Sequence, residues 1–147
     1  MIASWYVARL GGSALALIVA VGWQTTGRAQ DEAALAIELN KLESTDQGCR
    51  SSFLVDNQTG HQISRFQLDL VLFDPDGVAA KQVVLDMAPL YADKKLLTSF
   101  LLDEASCDQI GSILINSVPM CENGAGNAVD CVGLLEVSSR SEVPLEK

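Results

Sequence analysis

Histidine is nearly missing from this chain: its 147 residues include one, His61. Imidazole is a frequent general base in enzymes and a common zinc ligand, so a single histidine leaves little material for either role. No motif of serine catalysis surrounds His61, and the glycine patterns of nucleotide-binding loops are absent as well. The sequence therefore predicts no catalytic residue, no metal site and no cofactor.

Positive charge is also scarce. The chain has 10 lysines and arginines against 19 aspartates and glutamates, which gives a net charge of −9. A surface of this sign repels nucleic-acid phosphates and anionic lipid headgroups. We therefore expect no nucleic-acid partner and no membrane insertion of the mature domain.

The apolar stretch near the start is short. Residues 10–23 form a run of 14, fewer than the roughly 20 that a membrane-spanning helix needs. The run follows Arg9 and precedes the small residues Gly27 and Ala29, which is the order found in secretory signal peptides. We predict a Sec-type signal peptide, in helical form, over residues 1–29. An uncleaved N-terminal anchor that tethers the protein to a membrane is the alternative.

Cleavage after Ala29 changes the charge of the remaining chain. It leaves 118 residues and removes Arg9 and Arg28 but no acid, so eight bases face 19 acids at a net charge of −11. We expect this acidic mature chain to be periplasmic or secreted.

Cysteine usage agrees with export. Cys49, Cys107, Cys121 and Cys131 all follow the predicted leader, and an even count behind a signal peptide indicates two disulfides. Four cysteines allow three pairings. We favour Cys121–Cys131, because the segment between them is rich in turn-forming residues, and hence Cys49–Cys107. No pair has the C-x-x-C spacing of a zinc site.

Alternating apolar and polar residues predict an all-β chain. The clearest example is the face formed by Phe66, Leu68, Leu70 and Leu72. A helix remains an alternative for the first segment, which is rich in Ala, Leu and Glu. The predicted strands are residues 34–42, 49–55, 66–73, 78–87, 96–102, 112–118 and 132–137.

About seven short strands separated by turns indicate an immunoglobulin- or fibronectin-like β-sandwich. We place this domain at residues 30–138 and expect a flexible polar tail at residues 139–147. The order of strands within the sheets cannot be read from the pattern.

Two short motifs are interpreted as turns. Asp74-Pro75-Asp76-Gly77 fits a type I turn closed by glycine, and it predicts a hairpin. A calcium loop would need later ligands that are missing here. Asn57-Gln58-Thr59 matches an N-glycosylation sequon, but its composition also suits a turn.

The stretch from Phe53 to Leu102 resembles the small bacterial extracytoplasmic sandwich domains with an F-x-L-Y-D motif. The resemblance is carried by the turn at residues 55–59, the strand end at residues 70–74 and the following Asp76-Gly77. Leu70 stands in place of the motif phenylalanine and Phe73 in place of its tyrosine. The whole chain is also similar to uncharacterised exported proteins of alphaproteobacteria. These resemblances imply a sandwich in the cell envelope and bring no activity.

Two classes of function follow. The first is a non-catalytic envelope module or accessory subunit that binds an unknown envelope protein, with Val71, Phe73, Leu97 and Leu101 as a contact patch; alternatively, the N-terminal strand or a loop covers these residues. The second is a small-ligand carrier or an enzyme whose site forms only in three dimensions, around His61 and acidic residues. A pocket that holds His61 with two acids would favour the second class. The oligomeric state stays open.

Overall fold

A computed structural model describes residues 35–147, so the predicted signal peptide lies outside the described residues. The described chain forms eight strands and two 3₁₀ turns, at Cys107–Gln109 and Val132–Leu134. The strands are β1 (Leu35–Thr45), β2 (Gly48–Asn57), β3 (Ile63–Phe73), β4 (Ala79–Asp86), β5 (Lys94–Asp103), β6 (Ser112–Asn123), β7 (Leu135–Ser139) and β8 (Leu145–Glu146). None of the helices within this part of the chain is long and apolar enough to cross a membrane.

The strands form two four-stranded sheets, in the orders β5-β2-β1-β7 and β4-β3-β6-β8. The pairs β1–β7 and β6–β8 are parallel, and the other pairs are antiparallel. Because β2 pairs with β5 and β3 with β6, the chain crosses between the sheets as in an immunoglobulin-type sandwich with a C′ strand. The expected all-β sandwich is confirmed.

The core lies between the two sheets and is built from one face of each strand. Leu35, Ile37 and Leu39 of β1 are fully buried and alternate with half-buried residues. This period of two is that of a strand, so the helical alternative for the first segment is wrong. Phe53 of β2 and Phe66 of β3 are the largest of the fully buried side chains.

The predicted hairpin between β3 and β4 is confirmed. Gly77 donates to the carbonyl of Asp74 over 2.9 Å, and its φ of 79° is the left-handed conformation that glycine adopts without strain. The Oδ1 atom of Asp74 accepts from the backbone N–H groups of Asp76 and Val78. The aspartate therefore closes the turn with its own carboxylate, as the turn interpretation requires.

Both predicted disulfides are present. Cys49 on β2 is bonded to Cys107, with Cα atoms 4.9 Å apart, and Cys121 on β6 is bonded to Cys131, with Cα atoms 6.3 Å apart. Neither bridge joins β2 to β6, the pair of strands that an antibody domain links. Each instead ties a strand to a connecting segment outside the regular ladders.

The C-terminal region differs from the expectation. Residues 132–134 form a 3₁₀ turn rather than the start of a strand, and β7 begins at Leu135. The tail predicted to be flexible is an ordered part of the fold, because Leu145 is 7 % exposed and pairs with Ile113 of β6. The hydroxyl of Ser139 also donates to the carbonyl of Val143 over 2.6 Å. A two-residue strand has no periodicity that a sequence pattern can show.

Candidate functional site

Each sheet has two edge strands: the short C-terminal strands β7 and β8 lie on one side of the sandwich, and the longer strands β4 and β5 lie on the other. The amide of Ile113 donates to the carbonyl of Pro144, and the amide of Arg140 donates to that of Leu39, so the last residues of the chain complete the β7 and β8 side. All four edge strands pair with one neighbour in the described chain, but β4 and β5 have eight and ten residues and β7 and β8 only five and two. We call the side of the long edges the open side and the side of β7 and β8 the closed side. Edge strands of this kind present unpaired backbone donors and acceptors.

The two open edges lie on the same side of the sandwich. The Nζ atom of Lys81 on β4 donates to the backbone carbonyl of Asp103 at the end of β5. A partner that approaches this side can therefore meet both strands.

Exposed apolar side chains concentrate along these edges. Six large apolar side chains of the described residues are strongly exposed, and five of them lie between positions 78 and 97, on or beside β4 and β5. The six are Val78, Val84, Tyr91, Leu96, Leu97 and Val132. Scattered single apolar side chains are normal on a surface, but a group confined to one side indicates a contact region.

The four side chains predicted to form one contact patch lie on two separate surfaces. Val71 and Phe73 are half-buried on the outer face of β3, the face turned away from the other sheet. Leu97, 59 % exposed, and half-buried Leu101 lie on the outer face of β5, in the other sheet. The alternation of residues gives the face of a strand but not the sheet to which the strand belongs. The structure therefore does not bring the two pairs together.

The outer face of β5 combines apolar and charged residues. Leu97 lies opposite Leu54 of β2, and the hydroxyls of Ser52 and Ser99 are hydrogen-bonded over 2.7 Å. The Nζ atom of Lys95 lies 3.3 Å from Oδ2 of Asp56, while the lysine side chain remains 66 % exposed. Such an exposed ion pair contributes little stability, and the ammonium group of the lysine can contact a second carboxylate as well.

A carboxylate on the outer face of the second sheet is saturated with hydrogen bonds. Asp69 of β3 is 7 % exposed and accepts from Asn116, Gln82 and Ser117 at 2.8, 2.7 and 3.0 Å. The bonds from the amides of Asn116 and Gln82, with a smaller one from Ser117, lower the pKa of Asp69, although burial opposes them. Gln82 lies on β4, and Asn116 and Ser117 lie on β6, so this carboxylate links β3 to both of its neighbouring strands.

Asn57 is a second polar centre, for which the sequence predicted a turn or a glycosylation sequon but not a buried amide. Its side chain is fully buried, and its Nδ2 donates to the carbonyls of His61, Leu90 and Tyr91 at 2.9, 3.2 and 3.1 Å. Its Oδ1 accepts from the backbone and hydroxyl of Thr59. An amide nitrogen engaged in this way is inaccessible to a glycosyl donor, which supports the interpretation of this motif as a turn.

His61 is exposed beside a pocket of about 270 Å³. The pocket is lined by Thr59, His61, Gln62, Ile63, Asn123, Val129 and Leu134. No carboxylate is among these lining residues, so the pocket does not place acids beside the histidine. Residues 35–147 also contain no cluster of three or more His, Cys, Asp or Glu that could hold a metal ion.

The fold and its site define a class: small all-β sandwiches that contain disulfide bonds and present two long edge strands on one side. Comparison with protein-family models, curated proteins and solved structures gives no match to this chain. Its function is therefore inferred from its own geometry.

Proposed function

We propose that this protein is a non-catalytic, exported interaction module that binds a protein partner in the cell envelope along its open β4 and β5 edges. The observation on which this depends is the concentration of exposed Val84, Leu96 and Leu97 on β4 and β5, the two long edge strands of the described chain. A partner strand added there would gain backbone hydrogen bonds and cover these side chains.

Export to the periplasm is part of the same proposal. It is supported by the order of charged, apolar and small residues in positions 1–29 and by the two disulfides, because such bonds persist in oxidising compartments. Cell fractionation and N-terminal sequencing test it: the expected mature protein starts at Gln30 and is found in the periplasmic fraction. An N-terminus at Met1 in the membrane fraction would contradict cleavage and support the anchored alternative.

Site-specific photocrosslinking in living cells tests the binding surface. A photoreactive phenylalanine analogue at Leu97 or Val84, both exposed on the open side, should give discrete crosslinked products. The matched control replaces Ser138, which is exposed on β7 at the closed side, and should give none. Equal products from all three positions, or none from any, would contradict the proposal.

A second candidate, a small-ligand carrier, depends on the pocket beside His61. Its volume of about 270 Å³ lies just below the roughly 300–1,000 Å³ of ordinary ligand sites, and Ile63, Val129 and Leu134 give it an apolar lining. Replacing Leu134 with Arg would obstruct this pocket. A compound that raises the melting temperature of the wild type but not of Leu134→Arg would favour the carrier; no such compound in a broad screen would argue against it.

A further inference from the structure

We infer that the occupant of the β5 edge is the β5 strand of a second copy of this chain, paired antiparallel about a two-fold axis at Ser99. This inference deepens the proposed function and depends on it, because it assigns a partner to one of the two open edges. It arises from the sequence of β5, Lys94–Asp103, which is complementary to itself when reversed.

The register follows from the faces of the strand. In an antiparallel pair, directly opposite residues share a face. Because the two copies would form one continuous sheet, the outer-face residues of one β5 must lie opposite the outer-face residues of the other. With Ser99 opposite its own copy, Leu97 meets Leu101 and Lys95 meets Asp103, and each pair occurs twice by symmetry. All five lie on the outer face of β5.

Charge selects this register over its neighbours. Moving the axis to Thr98 sets Lys95 against Leu101, and moving it to Phe100 sets Leu97 against Asp103. Only the axis at Ser99 gives two opposite-charge pairs and no charge against an apolar side chain on this face. Lys94 and Glu104, the residues flanking these positions, repeat the same polarity.

The groups involved are accessible. Leu97 is 59 % exposed and the side chain of Lys95 is 66 % exposed, while Asp103 is exposed at the end of the strand. The Nζ atom of Lys95 lies 3.3 Å from Asp56 of its own chain. In the dimer it would contact both this carboxylate and that of Asp103 in the second copy. The carbonyl of Asp103 accepts from Lys81, and its carboxylate stays available.

The contact also explains how a long apolar edge is tolerated. A ten-residue edge strand with Leu at four positions could otherwise pair with a different edge strand of the next copy, and such head-to-tail pairing can continue from copy to copy. A two-fold contact closes after two copies, because each copy uses its β5 once. The contact area of a single strand is below the roughly 800 Å² per partner of a standard interface, so the dimer should dissociate on dilution.

Charge reversal provides the main test, using the mature protein with both disulfides intact. Analytical ultracentrifugation from about 1 µM to 1 mM covers affinities typical of weak contacts. The wild type should show a monomer–dimer equilibrium. Lys95→Glu alone, or Asp103→Lys alone, sets like charges opposite each other twice and should weaken dimerisation by at least about tenfold. A mixture of the two variants restores opposite charges and should form a heterodimer.

A symmetric crosslink tests the register itself. Ser99→Cys places a thiol opposite its own copy and should give a disulfide-linked dimer under mild oxidation. Ser138→Cys, exposed on β7 at the closed side, is the matched control and should stay monomeric. Peptide mass spectrometry confirms that the native bridges are retained, and the melting temperature shows that each variant is folded.

The outcomes separate this inference from the proposed function. A wild type that stays monomeric at about 1 mM and low salt, or an Asp103→Lys variant that dimerises as well as the wild type, overturns the inference. If such a monomer still crosslinks through Leu97 to a different envelope protein, the proposed function stands without it. Dimerisation that the single variants abolish and their mixture restores supports both.

Discussion

Asn116 donates a hydrogen bond of 2.8 Å to Oδ2 of Asp69, and Ser117, the next residue on β6, donates to the same oxygen at 3.0 Å. Two successive residues of a regular strand point to opposite faces, so this arrangement requires an irregularity. The ladder between β3 and β6 shifts register beside Asp69, since Leu70 pairs with Ile115 and Asp69 with Ser117. The extra residue of this β-bulge turns both donors toward one carboxylate.

Acid should weaken the fold through Asp69. Its pKa is lowered in the folded protein by Asn116, then Gln82 and Ser117, so its contribution is present above the ordinary aspartate pKa and is lost as pH falls through the lower folded value. The melting temperature of Asp69→Asn should lie below that of the wild type at neutral pH, and the gap should narrow below about pH 4. Asp86→Asn, on the neighbouring strand, is the control. A gap that is constant with pH would contradict this role.

Glu38 should add to the same trend. Its pKa is lowered by a hydrogen bond from Asn40 and by Arg140. As for Asp69, a lowered pKa in the folded protein means that the contribution of Glu38 to stability is lost as the pH falls through that pKa. Chemical-shift titration of the Glu38 carboxyl should show a midpoint below that of an unfolded peptide. In the Arg140→Gln variant the midpoint should rise, and an unchanged midpoint would exclude the ion pair.

Removal of the disulfide between Cys49 and Cys107 should cost more stability than removal of the other. The bridges span 58 and 10 positions, and loop-closure entropy assigns them about 4 and about 2.7 kcal/mol respectively. Replacing each pair with alanine and measuring urea unfolding gives both values. A smaller loss for the 49–107 pair would contradict the entropic account.

Asn57 should be intolerant even of aspartate. Aspartate has a similar size but cannot donate to the three carbonyls that Nδ2 serves. Leaving buried acceptors without donors should cost roughly 3 kcal/mol of unfolding free energy. Gln58→Glu, the same chemical change at an exposed neighbour, should cost little.

Leu145 should behave as a core residue. Because it is 7 % exposed and packed with the main apolar cluster, Leu145→Ala should cost about 2–3 kcal/mol, at the low end for a buried leucine. Glu146→Ala, exposed at the next position, is the control and should be neutral. Equal effects would mean that the C-terminal strand does not contribute to the core.

The sequence allowed the inward faces and the local turns to be predicted. Alternation along Phe66–Leu72 is a property of one strand, and the turn at Asp74–Gly77 follows from the preferences of its own residues. The pairing of Cys121 with Cys131 followed from the composition of one loop. Each of these inferences needed only residues that are near in sequence.

What could not be predicted depends on contacts between distant segments. Strand β6 runs to Asn123, whereas the predicted strand ended at Val118. The prediction ended too early because the bulge beside Asp69 interrupts the alternation of apolar and polar residues by which a strand is recognised. The position of β4 and β5 on one side of the sandwich follows from the strand order, which the sequence pattern does not show. The self-complementary sequence of β5 is relevant to pairing only because β5 is an edge strand. The amide network of Asn57 likewise joins residues more than 30 positions apart.

The position of β7 and β8 at the end of the chain has a consequence for the timing of folding. Synthesis proceeds from the N-terminus, and neither sheet has its second edge strand until residues 135–146 have been made. A nascent chain that lacks them retains gaps beside Leu39 and Ile113. We therefore expect the sandwich to reach its final packing only after residues 135–146 have been synthesised.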